Sequence, residues 1–168
     1  TPYPHYAGDL GRAAGPVLVE AVKQSDLLIV VGARLGEMTT GGYALVDIPT
    51  PKQALVHVHA SAEEIGRVYQ PTLGINAGPA SFLAQAAALP AVRPAAFSDW
   101  VAGLNGGYRG NFDTPRSPGD VQMSEVIAWL NQALPADSIL TCGAGNYTGW
   151  VHRGYQPVSY THLRAHET

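Results

Sequence analysis

The 168-residue sequence predicts an α/β fold built on a parallel sheet, and three observations carry that prediction. Leu27, Leu28, Ile29, Val30 and Val31 form a run that is apolar at every position and stops at Gly32. Such a run suits a strand buried on both faces, as in a parallel sheet flanked by helices. Strand-like and helix-like segments then alternate as far as Leu89, the pattern of βαβ units. The order of helix, aspartate, apolar run and glycine turn seen around Asp26 and Gly32 also recurs around Asp137 and Gly143.

The opening residues as far as Leu10 are loop-like, with Gly8 and Gly11 bracketing a turn. Pro16 suits the first turn of a helix, where its missing N–H has no helical partner to lose. Val17, Leu18, Ala21 and Val22 follow at helical spacing, so the helix is expected to end near Gln24 and Ser25 and to feed a strand over residues 26–31. Residues 37–51, containing Thr39-Thr-Gly-Gly42, read as a polar, flexible loop on the ligand side of the sheet. Residues 54–59 read as a second strand, whose His57 and His59 share a face because strand side chains repeat every two residues. No third ligand stands at metal-binding spacing, so both are taken as packing or hydrogen-bonding residues. Ser61 followed by Glu63 and Glu64 suits a helix start, with carboxylates near the positive end of the dipole. Residues 72–76 form a short third strand and residues 80–89 a helix of small residues. Thr1 to about Leu89 thus makes one Rossmann-like domain.

Pro90-Ala-Val-Arg-Pro94 breaks the pattern, and residues 97–104 predict a short helix with Trp100 and Val101 on one side. Residues 105–119 hold four glycines and two prolines and read as an extended interdomain segment, so residues 90–119 are assigned as a linker. From Asp120 order is expected again. Ser124 is the candidate N-cap, Val126, Ile127, Trp129, Leu130 and Leu134 mark an amphipathic helix, and Pro135 stops it. Residues 137–142 read as a buried strand, and Gly143-Ala-Gly-Asn-Tyr147 as its glycine-rich exit. Residues 120–157 are therefore the truncated start of a second α/β domain, one βα unit that is too little to fold alone.

Both ends look artificial. The chain opens on Thr1-Pro-Tyr-Pro-His5 without a methionine, and residues 158–168 shift composition abruptly. That tail looks like one translated frame of a transposase adapter used in sequencing libraries, and is set aside from fold and function. The competing reading is a genuine polar tail whose His162 and His166 could hold a metal. The remainder is expected to be an internal piece of a longer gene product.

Composition narrows the function classes. With 46% hydrophobic and 14% charged residues and a net charge of −3, the chain is globular in composition and has no basic stripe for nucleic acid. No apolar segment is long enough to cross a bilayer. The single Cys142 excludes an intrachain disulfide framework, and a lone thiol fits a reducing, cytoplasmic setting. Ligands in open α/β sheets sit beyond the carboxyl ends of the strands. Arg34, two residues past Gly32, therefore lands where a nucleotide or diphosphate would lie, with a guanidinium fork suited to phosphate oxygens. The plainer reading is that Arg34 pairs with a neighbouring carboxylate.

Several segments, taken in order, resemble the thiamine diphosphate (ThDP) enzymes of the acetolactate synthase type. Gly8-Asp-Leu-Gly11 is similar to the loop before the first helix of that family's central domain, and Ser25-Asp-Leu-Leu-Ile-Val-Val-Gly-Ala-Arg34 to its strand and nucleotide-facing arginine. Val56-His-Val-His59 and Ala62-Glu-Glu-Ile-Gly66 resemble the next strand and turn. Ser138-Ile-Leu-Thr-Cys-Gly-Ala-Gly-Asn-Tyr-Thr-Gly-Trp150 resembles the opening of the diphosphate-binding domain. The resemblance runs from about His5 to Tyr155.

The resemblance implies that Gly145, Asn146 and Tyr147 contact the ThDP diphosphate, where the family carries Gly-Gln-His. It implies that Gly8, Gly11, Gly32 and Arg34 face a nucleotide, which is FAD in acetolactate synthases and ADP or nothing in relatives. The family's Asp-x-Asp is replaced here by His59 and Ser61, which removes the acidic group that reads ribose or adenine and leaves FAD doubtful. The family's catalytic glutamate would lie before this chain, and its magnesium site, Gly-Asp-Gly followed at a distance by Asn, beyond it. Gly119-Asp120 lacks the second glycine, so no catalytic or metal residue is assigned here. The implied parent decarboxylates an α-keto acid or joins it to a second carbonyl compound, and is a homodimer or homotetramer. The piece alone is expected to be inactive. The alternative is a stand-alone nucleotide-binding or regulatory module on the same sheet, since fold alone does not decide function.

Overall fold

A computed structural model describes residues 3–11, 14–90, 97–110, 116–143, 145–156 and 164–166. The chain forms two compact units, Leu10–Asp99 and a second that joins Thr1–Asp9 to Trp100–Thr168. Among the described residues no helix is long and apolar enough to cross a membrane.

The unit Leu10–Asp99 runs through α1 (Pro16–Gln24), β1 (Leu27–Val31), β2 (Ala54–His59), a 3-10 turn (Ala62–Glu64), β3 (Leu73–Asn76) and α2 (Pro79–Ala86). The strands form the expected parallel sheet in the order β1-β2-β3, with Val30 opposite His57 and Val58 opposite Ile75. Helix α1 begins at Pro16 and ends where Gln53, just before β2, donates from Nε2 to the carbonyls of Val22 (3.0 Å) and Lys23 (3.2 Å). Those bonds satisfy last-turn carbonyls that have no intrahelical donor. The core lies on the central strand, where Leu55, His57 and Val58 are fully buried. Burying an aliphatic side chain of this size contributes about 1.5–3 kcal/mol.

Burial of β1 on both faces, expected from its unbroken apolar run, is not found. Leu27 and Ile29 share a face and are 46% and 57% exposed, as is Leu73 on β3 at 52%. α2 packs against β2, whereas this face of the outer strands stays open. The loop after β1 carries one buried polar anchor. Thr40 is fully buried, its hydroxyl donates to the Gly36 carbonyl at 2.9 Å, and its own carbonyl accepts the N–H groups of Ala44 and Leu45. Gly41 and Gly42, at φ +57° and +73°, allow this tight winding. A locally satisfied threonine thus anchors this polar loop. The helix expected at Ser61 is only the 3-10 turn Ala62–Glu64, and the Ser61 side chain makes no capping bond. Its N–H instead lies 3.1 Å from His59 Nδ1.

Helix α3 (Ser98–Gly110) continues past Leu104 into the segment expected to be extended. Its glycines each cost a helix about 1 kcal/mol relative to alanine. Side-chain anchoring offsets this: Asn105, 9% exposed, donates from Nδ2 to the carbonyls of Tyr3 (3.3 Å) and Tyr6 (2.7 Å) and accepts from Arg109 Nε at 2.9 Å. The Tyr6 and Tyr108 rings meet edge to face at 4.8 Å. Burial pushes both phenols above their ordinary pKa, and the Asp9 carboxylate adds to the effect. The remainder of the expected linker at residues 91–96 and 111–115 lies outside the described residues.

Helix α4 (Met123–Ala133) has Gln122 rather than Ser124 at its N-cap position, without a side-chain capping bond, and Ser124 is its second residue. Gln122 is buried because its amide accepts from the Ser117 N–H at 2.8 Å and donates to the carbonyls of Ser117 and Gly119. Ile127 packs with Val151 and Tyr155 of the segment around α5 (Thr148–Gly154), alongside Leu130, Leu134, Leu140 and Trp150. Asn131 closes the end of α5, donating to the Gly154 carbonyl (2.8 Å) and accepting from the Gln156 N–H (2.7 Å). The buried strand expected over residues 137–142 shrinks to β4 (Thr141–Gly143), and Ile139 is 75% exposed. β4 pairs in parallel with β5 (Arg164–His166), three residues of the tail that had been set aside from the fold. His162, the other half of the alternative metal pair, lies outside the described residues, among which no cluster of three metal-ligating side chains occurs.

Candidate functional site

Two strands end in glycine turns that carry the candidate residues. At the end of β1, Gly32 continues the ladder by donating its N–H to the Val58 carbonyl at 2.8 Å, then turns with φ +77°. A Cβ at Gly32 would stand 2.7 Å from Pro79 Cγ at the start of α2, so both conformation and space demand glycine. His57, reaching forward from β2, holds the next peptide through a 2.9 Å hydrogen bond between Nε2 and the Ala33 carbonyl.

Arg34 follows with its side chain 69% exposed and its Nε 3.6 Å from Glu64 Oε2. Arg67 approaches the other oxygen of the same carboxylate, Nη1 to Oε1, at 3.0 Å. One carboxylate between two guanidiniums leaves an excess positive charge. Exposed pairs of this kind contribute only about 0–1 kcal/mol, so they do not lock Arg34 in place. The carboxylate-pairing reading of Arg34 is therefore correct as far as it goes, and the guanidinium still presents most of its surface.

Gly11 does not join Gly32 and Arg34. Gly11, at φ +137°, stands by Met38 and lines a cavity of about 220 Å³ with Leu10, Val19, Lys23, Thr39 and Ala44. Neither Gly32 nor Arg34 lines that cavity. Gly8 belongs to the other unit. At the end of β2, His59 and Ser61 engage each other, and Asn76 Nδ2 closes the strand end by donating to the carbonyls of His59 (3.0 Å) and Ala60 (2.9 Å).

The turn after β4 is built differently. A Cβ at Gly145 would lie 2.6 Å from Cε1 of Tyr147, and one at Gly143 would lie 2.8 Å from its hydroxyl. The Tyr147 ring therefore lies against both glycines while staying 51% exposed. The Gly145 carbonyl accepts the N–H (3.1 Å) and the hydroxyl (2.8 Å) of Thr148, which fixes the entry to α5. Ala144 lies outside the described residues. Gly145, the exposed amide of Asn146 and the phenol of Tyr147 stand together with no carboxylate among residues 143–149. The N–H groups of Thr148, Gly149 and Trp150 are taken up by the carbonyls of Gly145, Asn146 and Tyr147, so the Asn146 amide and the Tyr147 phenol are the neutral donors that fit an anionic diphosphate tail.

Sequence reasoning missed three participants: Glu64 as the partner of Arg34, the His57 bond to Ala33, and the ring of Tyr147 over its own turn. Only the first left a readable signal, the Glu64 and Arg67 spacing of three residues. The others depend on how the chain turns after each strand.

The chain matches the family described as thiamine pyrophosphate enzyme, central domain, over residues 2–86, half of its length. It is 29% identical over 140 residues to the acetolactate synthase large subunit of Corynebacterium glutamicum, an alignment covering 79% of this chain and 22% of that protein. It is 28% identical over 154 residues to the acetolactate synthase isozyme 2 large subunit of Escherichia coli K12, covering 89% of this chain and 26% of that protein. The chain thus spans about a quarter of the length of these relatives. With its parallel sheet and its glycine exit after β1, the chain belongs to the thiamine pyrophosphate enzymes, whose central domain it carries.

Proposed function

We propose that the chain is a piece of a ThDP-dependent carboligase or decarboxylase of the acetolactate synthase-like type, acting on an α-keto acid. The match to the family's central domain carries this reading, supported by the two acetolactate synthase relatives, whose alignments cover most of the chain. Loss of carbon dioxide from an α-keto acid is the chemistry the cofactor supplies when bound; the protein contributes binding, orientation and electrostatics. In this reading Asn146 and Tyr147 donate hydrogen bonds to the diphosphate, and Gly145 lets it approach the backbone. Arg34, beyond Gly32, meets the phosphate of a nucleotide in the central domain. His59 and Ser61 in place of two aspartates favour ADP or an empty site over FAD.

Magnesium belongs to residues outside this chain, as does the catalytic glutamate, so the 168-residue chain by itself turns over nothing. The whole protein is a cytoplasmic homodimer or homotetramer. Residues 158–168 are of adapter origin and take no part in function.

Calorimetry on the longer polypeptide that contains this chain tests the reading. With magnesium present it binds ThDP, and Asn146→Ala weakens binding by roughly tenfold, the loss of one hydrogen bond to a charged group. The 168-residue chain releases no carbon dioxide from pyruvate when ThDP and magnesium are added. Absence of ThDP binding by the longer polypeptide would overturn the proposal, and turnover by the short chain would overturn the assignment of catalysis to missing segments.

A further inference from the structure

We propose that His57 is a positioning residue for the phosphate-facing turn, holding it through a hydrogen bond donated from Nε2. The inference rests on the reading of Arg34 as an anion contact, and adds to it the group that aims the arginine. His57 is 2% exposed, opposite Val30 in the sheet, and its ring reaches past the end of β1 to the carbonyl of Ala33 at 2.9 Å. A carbonyl oxygen can only accept, so Nε2 must be the donor, which fixes the tautomer whenever the ring is uncharged.

The bond falls at the one peptide that decides where Arg34 points. Gly32 is already bound to Val58 through its N–H and has φ +77°, a region where glycine has freedom to rotate. Leu35, on the other side of Arg34, also has a positive φ, +51°. Between two unusual backbone positions, the Ala33 carbonyl is the handle by which the peptide can be held. The ion pair to Glu64 does not do this, because at 3.6 Å and with Arg34 largely exposed it contributes little. Removal of the imidazole is expected to free the Ala33–Arg34 peptide while β1 and β2 keep their pairing.

The test uses the 168-residue chain, labelled with nitrogen-15, as wild type, His57→Ala and His57→Gln. Glutamine can place an amide N–H close to where Nε2 stands. In the wild type the His57 Nε2 should carry a proton shared with the Ala33 carbonyl. The Arg34 amide resonance should move in His57→Ala and return towards its original position in His57→Gln, with other β1 and β2 amides little changed. ADP serves as the probe of function, its affinity falling about fivefold in His57→Ala and recovering to within about twofold in His57→Gln. An Nε2 without a proton, or an Arg34 resonance indifferent to both substitutions, overturns the proposal. If His57→Ala fails to fold, the wild-type Nε2 proton and the glutamine variant decide it. If wild-type protein does not bind ADP, or Arg34→Ala binds it equally well, the nucleotide reading fails, while the ring and amide resonances still decide whether His57 aims the turn.

Discussion

The chain leaves β1 through Gly32 and leaves β4 through Gly143 and Gly145, and the two exits use glycine for different reasons. Gly32 is required twice over, by φ +77° and by Pro79 lying 2.7 Å from where a Cβ would be. Its neighbours are a sheet ladder and a proline ring at a helix start, neither of which yields easily. At Gly145 the obstacle is the ring of Tyr147, a side chain half open to solvent and able to rotate away. A strand followed by glycine therefore does not by itself report an anion site. It reports that something comes close, and the structure says whether that something is backbone, a fixed ring or a movable one.

Substitutions at the two exits should separate these cases. Gly32→Ala carries the largest expected effect, a loss of about 3 kcal/mol of stability from backbone strain and the contact with Pro79. Thermal or denaturant unfolding measures it. Adding Pro79→Ala should recover the part due to the clash and leave the strain; a Gly32→Ala protein as stable as wild type would end the distinction between the exits. Gly145→Ala should lose only about 1 kcal/mol, because Tyr147 can swing aside. In a Tyr147→Ala background the same substitution should cost almost nothing, and a double-mutant cycle reads the coupling directly. Purely additive losses would show that the ring does not rest on Gly145.

The smallest effect is expected from pH, in the second unit. Tyr6 and Tyr108 have phenols held above the ordinary value of 10 by burial, with Asp9 adding to the shift. Unfolded tyrosines then lose their protons before folded ones, so the folded state binds more protons and its stability declines as pH rises past about 10. Below that value the contribution is fully present. Denaturant midpoints at pH 8 and pH 10.5 measure the decline, and Tyr6→Phe with Tyr108→Phe should flatten it; an unchanged slope in the double variant would assign it elsewhere.

Much of the sheet was legible in the sequence. The bounds of α1, the second strand and the parallel order follow from Pro16, from helical spacing and from apolar runs cut by glycine. The misreadings share a physical cause. Solvent on one face of β1 cannot be read from Leu27-Leu-Ile-Val-Val31, because the run is the same whether or not anything covers it. α3 was read as too short because Gly103, Gly106 and Gly107 disfavour a helix, whereas Asn105 and Tyr108 supply tertiary anchors that composition does not reveal. At the candidate site, Arg34 and Gly32 are singled out by residue type and position alone. Glu64, His57 and the ring of Tyr147 required the direction of each side chain, which depends on the turns.

The bond from Asn105 to the Tyr3 carbonyl joins groups 102 residues apart, and the whole of Leu10–Asp99 lies between them. The unit that holds both ends is thus discontinuous, and it cannot be completed on the ribosome until its second half has emerged. Closing so long a loop from an unstructured chain is slow, although its entropic cost grows only logarithmically with length. The connectivity therefore leaves the inserted unit free to form while the outer one still awaits its second half.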